Sequence, residues 1–258
     1  MRGMIKIGFF DSGIGGLSIL KEVELLLPQL PFYYLADPEF MPYGNKGTEE
    51  IIKRSSLLVD ELAKEGCGHI VVACNTATAV AIDFLRQEYP DISFIGVEPY
   101  VNSINKLPHL KKPVILLTES ISKSDRFLKL KRAKDPLEKM DVYPCKNLAT
   151  LAEQAFHEGI TVSIVESIKE ELAGLKGQGH SHAILGCTHY NFFREIIKEI
   201  LGVECICPGD HVAKRVRSLV EGHILDERSC EGFYFKNMDS EKWQYWPKNN
   251  LSKVLAYD

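Results

Sequence analysis

Apolar positions along this chain fall into two alternating patterns. Short unbroken runs such as IKIGFF, FYYLA, HIVVA, VILLT and HAIL suit strands buried on both faces of a parallel sheet. Between them lie longer stretches with helical spacing. GLSILKEVELLL (16–27) is amphipathic and is stopped by Pro28, and TEEIIKRSSLLVDELAKEG (48–66) opens at Thr48 as an N-cap and closes at Gly66. The predicted order is a strand over 5–13 entering a Gly-rich turn, helix 16–27, strand 32–37, loop 38–47, helix 48–66, strand 69–73, helix 78–90 and strand 92–99. A second series follows: strand 113–118, a helix from Lys123, strand 141–145, helices at 147–157 and 161–173, strand 182–187, helix 190–201, the segment VECICPG (203–209) and helix 210–225. Strands alternating with helices of this length predict an α/β fold with mostly parallel sheets flanked by helices.

The second series echoes the first. DELAKEGCGHIVVAC and EELAGLKGQGHSHAILGC share the end of a helix, a Gly-rich connector and a strand running to a cysteine. A single echo of this length is the mark of a duplicated domain, so two similar α/β units are expected. The joints fall at 96–113 and 205–209, where turn residues cluster. The expected division is 1–97 plus 208–258 for the first unit and 98–207 for the second. The last segment, 233–258, is too short to stand alone and is expected to pack back on the first unit.

Composition narrows the class. At 258 residues, with 45% hydrophobic and 26% charged side chains, the chain can bury a large core. A net charge of −4 argues against a general nucleic-acid binder. No apolar run is long enough to span a bilayer, and MRGMIKIGFFDSG has the pattern of a first strand, with no signal-peptide features, so a cytoplasmic protein is expected. Seven cysteines, an odd number without scaffold spacing, imply free thiols in a reducing compartment. Cys205, Cys207 and His211 lack the second half-site of a structural zinc centre, so Cys205 and Cys207, like Cys67 and Cys230, are expected to be small buried residues, and no metal is expected.

Two cysteines differ from the rest. Cys74 and Cys187 each end a predicted strand, five positions after a histidine, and each is followed by polar residues, Asn75-Thr76 and Thr188-His189. Ligands of open parallel sheets bind at such strand ends. If the two units face each other, the thiols stand on opposite walls of one cleft. A turn opening a helix also favours a thiolate. His189 can assist the Cys187 thiol or cap the turn. Asp11 and Ser12, in DSGIGG (11–16), end the first strand at the same sheet edge; Asp11 can serve as a proton partner or as a helix cap. The loop lacks the Lys-Ser/Thr of a phosphate loop and is not G-x-G-x-x-G.

FFDSGIGGLSIL, PYGNKGT, VVACNTATA, GVEP and LGCTHY occur here in the order found in glutamate racemases, and over residues 5 to about 222 the chain resembles that branch of the aspartate/glutamate racemase superfamily. The resemblance implies interconversion of L- and D-glutamate in the service of peptidoglycan synthesis, with no cofactor, in the cleft between two domains and by a homodimer. Cys74 and Cys187 match the two bases. Asp11 would assist Cys74, and His189 and Glu153 would assist Cys187. Ser12, Tyr43, Gly44, Asn75, Thr76 and Thr188, with Asp11 and His189, would hold the substrate. Three departures stand out: Ile121 in place of a threonine in TESISKS, Asn191 in place of the proline after CTHY, and Cys207-Pro208-Gly209 in place of a late Asp-Ser-Gly. The first is expected to alter the cleft or the grip on the distal carboxylate. The alternatives are a racemase of aspartate or another small amino acid, and an inactive relative serving as a binding or regulatory module. The paired thiols weigh against the latter.

Overall fold

The computed structural model describes residues 5–107, 109–222, 230–248 and 251. In chain order the regular elements are β1 (Lys6–Asp11), α1 (Leu17–Leu26), β2 (Phe32–Ala36), α2 (Thr48–Lys64), β3 (Cys67–Val72), α3 (Asn75–Glu88), β4 (Ser93–Gly96), α4 (Ser103–Lys106), β5 (Val114–Thr118), α5 (Glu119–Lys123), α6 (Asp125–Lys134), β6 (Asp141–Cys145), α7 (Leu148–Glu158), α8 (Val162–Leu172), β7 (His182–Leu185), α9 (Arg194–Leu201), β8 (Glu204–Ile206), α10 (Gly209–Val220), β9 (Gly232–Asn237) and β10 (Gln244–Pro247).

The strands form two sheets. One has the order β10-β9-β2-β1-β3-β4 and is parallel except at β10; the other has the order β6-β5-β7-β8 and is parallel throughout. Helices flank both, which makes the fold α/β. The central strand β1 is buried along almost its whole length, with Ile7, Phe9 and Phe10 inaccessible to solvent, as its unbroken apolar run requires. Helix α2 buries Ile51, Ser55, Leu58, Val59 and Leu62, one stripe at helical spacing, against Ile70 and Val72 of β3. Gly66, at φ +83°, turns the chain from α2 into β3 in a conformation that β-carbon sterics deny most other residues. From the C-terminal segment, β9 joins the first sheet beside β2, where Phe235 stacks on Tyr34.

Three local expectations are corrected. The helix predicted over 190–201 begins as a 3-10 turn, Thr188–Phe193, before α9 opens at Arg194; Tyr190, Phe192 and Phe193 are all buried, and a regular α-helix would turn part of that run towards solvent. The helix predicted from Lys123 is α6, which opens at Asp125, and a separate short helix, α5, precedes it. Thr118 accepts a hydrogen bond from the Ile121 N–H and Ser124 accepts one from the Phe127 N–H, so the segment is capped and restarted within a few residues. The joint at 96–113 contains the short helix α4, which its turn-rich composition conceals. Ile121 itself packs with Tyr100, Leu117 and Phe127. Residues 1–4, the end of the helix predicted over 210–225 and most of 249–258 lie outside the described residues.

Candidate active site

The C-terminal ends of β1, β3 and β7 converge where the two sheets meet. Cys74 follows β3 and caps α3: its Sγ accepts the Ala77 N–H at 3.4 Å and lies 3.7 Å from Ser12 Oγ. Cys187 follows β7, with Sγ 3.8 Å from His189 Nδ1. Asp11, at the end of β1, stands between the two groups. Its Oδ1 accepts the Ser12 N–H at 2.7 Å, and its Oδ2 accepts the Gly16 N–H and, at 3.3 Å, the Thr188 hydroxyl. A run of contacts thus links one thiol to the other's turn through Ser12, Asp11 and Thr188. Asp11 is fully buried, and Cys74, Cys187 and His189 are no more than 7% exposed.

Glu153 completes the arrangement from α7. Its Oε1 accepts the Ile14 N–H at 2.8 Å and faces His189 Nε2 at 2.7 Å. This fixes the imidazole: with a proton on Nε2 directed at Glu153, Nδ1 is left to exchange a proton with the Cys187 sulfur. Burial by itself would depress the His189 pKa, but hydrogen bonds with Cys187 and Glu153 and the Asp11 charge outweigh it and hold the imidazole well above its ordinary 6.5. Burial likewise opposes ionisation of Glu153, yet the bond and charge of His189 and the Ile14 N–H hold its carboxyl below the usual range. The other side of the site differs. Burial raises the Asp11 carboxyl despite the opposing charge of His189, and burial together with Asp11 pushes the Cys74 thiol far up.

The glycines of DSGIGG follow from these contacts. A methyl on Gly13 would overlap the Glu153 carboxylate, and one on Gly15 would overlap the His189 ring. The loop is glycine-rich because two side chains, one from α7 and one from the turn after β7, lie against its backbone, a close approach that no larger residue permits.

The remaining predicted residues divide into two groups. Asn75 and Thr76 open α3 and are buried. Asn75 Nδ2 donates to the Val97 carbonyl, and its Oδ1 has no hydrogen-bond partner among the described residues. Tyr43 and Gly44 lie in a 3-10 turn of the loop at 38–47, with Gly44 against Ser120. The Tyr43 hydroxyl is already engaged, donating to Asp37 Oδ2 at 2.7 Å, while Arg54 from α2 bridges both oxygens of the same fully buried carboxylate. Asp37 and Arg54 were not singled out from the sequence. A signal existed in FYYLAD, since Asp37 closes that apolar run as Asp11 closes IKIGFF. Among the described residues no three His, Cys, Asp or Glu side chains are grouped to hold a metal ion, and no helix is long and apolar enough to cross a membrane.

Comparison with known proteins identifies the family. A glutamate racemase of Clostridium botulinum (strain Kyoto / Type A2) is 37% identical over 229 residues, covering 88% of each chain. The crystal structure of Escherichia coli glutamate racemase in complex with L-glutamate and the activator UDP-MurNAc-Ala superposes with a TM-score of 0.83 at 26% identity, covering 98% of this chain and 95% of that one. The structure of the Francisella tularensis glutamate racemase in complex with D-glutamate gives a TM-score of 0.77 at 27% identity, covering 98% and 94%. The family model for Asp/Glu/Hydantoin racemase matches residues 17–216, and this chain belongs to that racemase family.

Proposed function

We propose that this protein interconverts L- and D-glutamate by two-base proton transfer, with Cys74 and Cys187 as the bases and without a cofactor. The observation that carries the reading is the pair of thiols at strand ends of two different sheets, joined through Asp11 and Thr188 and each beside its own proton partner.

Inversion at a carbon held in place calls for a base on each face. A single base that removes a proton returns it to the face it came from. In the proposed cycle a thiolate takes the α-proton, breaking Cα–H and forming S–H. The opposite thiol then gives its proton to the other face and is left as the thiolate, so nothing is oxidised or reduced. His189 exchanges a proton with Cys187, oriented by Glu153, and Asp11 serves Cys74 through Ser12. The charge that develops on the substrate carboxylate is met by the N–H groups opening α3 and by the Asn75 amide and the Ser12 hydroxyl, donors that gain strength in a water-excluded site. Glutamate is favoured over aspartate by the relatives, whose complexes contain it. On the family's pattern Cys187 deprotonates L-glutamate and Cys74 D-glutamate. The same reading makes the product a peptidoglycan precursor, and the protein a cytoplasmic homodimer, which sedimentation would test.

The test is racemisation followed by circular dichroism with both enantiomers of glutamate and of aspartate, after exhaustive dialysis against chelator. Activity on glutamate is expected to survive. Cys74→Ala and Cys187→Ala should each abolish it in both directions, with losses at or beyond the roughly 10²–10⁴-fold typical of a general acid or base. Each Cys→Ser variant should still eliminate a leaving group from one enantiomer of a β-substituted analogue. Near-normal racemisation by either Cys→Ala variant would refute the two-base scheme.

A further inference from the structure

One buried amide in the Cys187 turn has no part in the scheme above. Asn191 is 4% exposed, on the 3-10 turn that follows Cys187, at the position where the sequence departs from the proline of glutamate racemases. Its Nδ2 carries two hydrogens and both are used: one reaches Ser18 Oγ at 3.1 Å and the other the Thr188 carbonyl at 3.2 Å. Ser18, in the first turn of α1, directs its own hydroxyl at the Gly15 carbonyl at 2.8 Å and lies 3.1 Å from the Thr188 carbonyl. The orientation of the amide follows from chemistry. Rotated end for end, it would face its oxygen to the Thr188 carbonyl, which has no hydrogen to give. The Asn191 Oδ1 is buried without a partner among the described residues, a cost that an apolar side chain at this position would avoid. The two donated bonds are therefore what the asparagine contributes.

We infer that Asn191 and Ser18 are positioning residues for Cys187. Asn191 bridges the Thr188 carbonyl to the Ser18 oxygen on α1, and Ser18 in turn holds the Gly15 carbonyl, while Asp11 holds the Thr188 hydroxyl on the other side, so the residue between Cys187 and His189 is tethered to α1 and β1 through its carbonyl and its hydroxyl. This sets where the Cys187 sulfur stands relative to the α-carbon of a substrate in the site. A proline at 191 has no donor to offer, so in this chain the side-chain amide supplies the tether. The inference rests on the proposed two-base reaction.

The test compares Ser18→Ala, Asn191→Leu and the double variant with the parent, using L- and D-glutamate with hydrogen or deuterium at the α-carbon, and records the Tm of each. Because the enantiomers have equal free energies, kcat/KM must fall equally in both directions, and rates alone do not report which face is affected. The isotope effect does. Each single variant should lower kcat about 10–100-fold, as a misplaced reacting group does, with KM little changed. The substrate deuterium effect should rise with L-glutamate, whose proton goes to Cys187, and fall with D-glutamate. The double variant should be no slower than the slower single one, because the two residues act as a unit. Asn191→Pro and Ser18→Ala, which remove donors with little added bulk, decide the matter if Asn191→Leu does not fold. Unchanged kcat with a lowered Tm, isotope effects moving together for both enantiomers, or multiplying losses in the double variant would overturn the inference. Failure of the underlying reaction would be seen separately, in a parent that does not racemise glutamate or is indifferent to Cys187→Ala.

Discussion

Replacing Glu153 by glutamine tests the link between α7 and the Cys187 turn. The change preserves volume and leaves a carbonyl oxygen that can accept both bonds, but it removes the charge facing His189 at 2.7 Å and weakens the Ile14 N–H bond at 2.8 Å. A hydrogen bond to a charged group contributes about 1.5–3 kcal/mol, and this one is well shielded, since Glu153 and His189 are 7% and 4% exposed. A loss of about 2–3 kcal/mol is expected, and for a chain of this length an unfolding entropy of about 2.1 cal/mol/K per residue converts it to a fall in Tm of about 4–6 °C. The effect on catalysis should be larger. Without the negative charge the proton is held less firmly on Nε2, and a population of His189 with the proton on Nδ1 alone cannot accept one from Cys187. A fall in kcat of about 10²-fold, the lower end for a general acid–base contribution, is expected because Glu153 acts through His189. Scanning calorimetry and the racemisation assay on one preparation give both numbers. A variant with unchanged Tm and kcat within twofold of the parent would refute the orienting role.

The pH dependence of that pair has a definite sign. His189 is raised above 6.5, so its stabilising contribution is complete below that value and is lost as pH rises through its folded pKa; Glu153 is lowered below 4.5, so its contribution is present above that value and is lost as pH falls through its folded pKa. The Tm gap between parent and Glu153→Gln should therefore be widest between those two folded values and narrow on either side; a gap independent of pH would contradict the pairing. Gly15→Ala drives a methyl into the His189 ring, and should destabilise by about 1–3 kcal/mol as overpacking does while reducing kcat more than Gly68→Ala, where no atom lies within reach. Equal activities would mean that the loop does not need its glycine there. Arg54→Ala leaves the fully buried Asp37 carboxylate without its bidentate partner; a loss of about 3 kcal/mol, the low end for a broken buried pair because Arg54 reaches solvent, is expected in urea unfolding, together with a raised KM as the Asp37 carboxylate that anchors the Tyr43 hydroxyl loses its own support. An unchanged midpoint and KM would remove this network from the account.

The sequence alone determined what depends on neighbours along the chain. The unbroken apolar runs of β1, β3, β5 and β7 identify strands of a parallel sheet because such strands are covered on both faces, and a thiol followed by Asn-Thr or Thr-His at the end of a run marks a strand-to-helix turn without knowledge of the fold. The two-sheet α/β architecture and the positions of Cys74, Cys187, Asp11 and His189 at strand ends were legible for that reason. Glu153 was different. Nothing in ATLAEQ sets that glutamate apart from others on a helix face; only the resemblance pointed to it, and its partner Ile14 is 139 residues away. The pairing of Asp37 with Arg54, the reason for the glycines at 13 and 15, and the tether from Ser18 to Asn191 belong to the tertiary structure in the same way. So does the break between the 3-10 turn and α9, set by aromatic side chains that find their covering surface only when the sheets meet. Periodicity records which face of an element is buried. It does not record what lies opposite, and a buried polar group takes its chemistry from the partner that packing brings within hydrogen-bond reach.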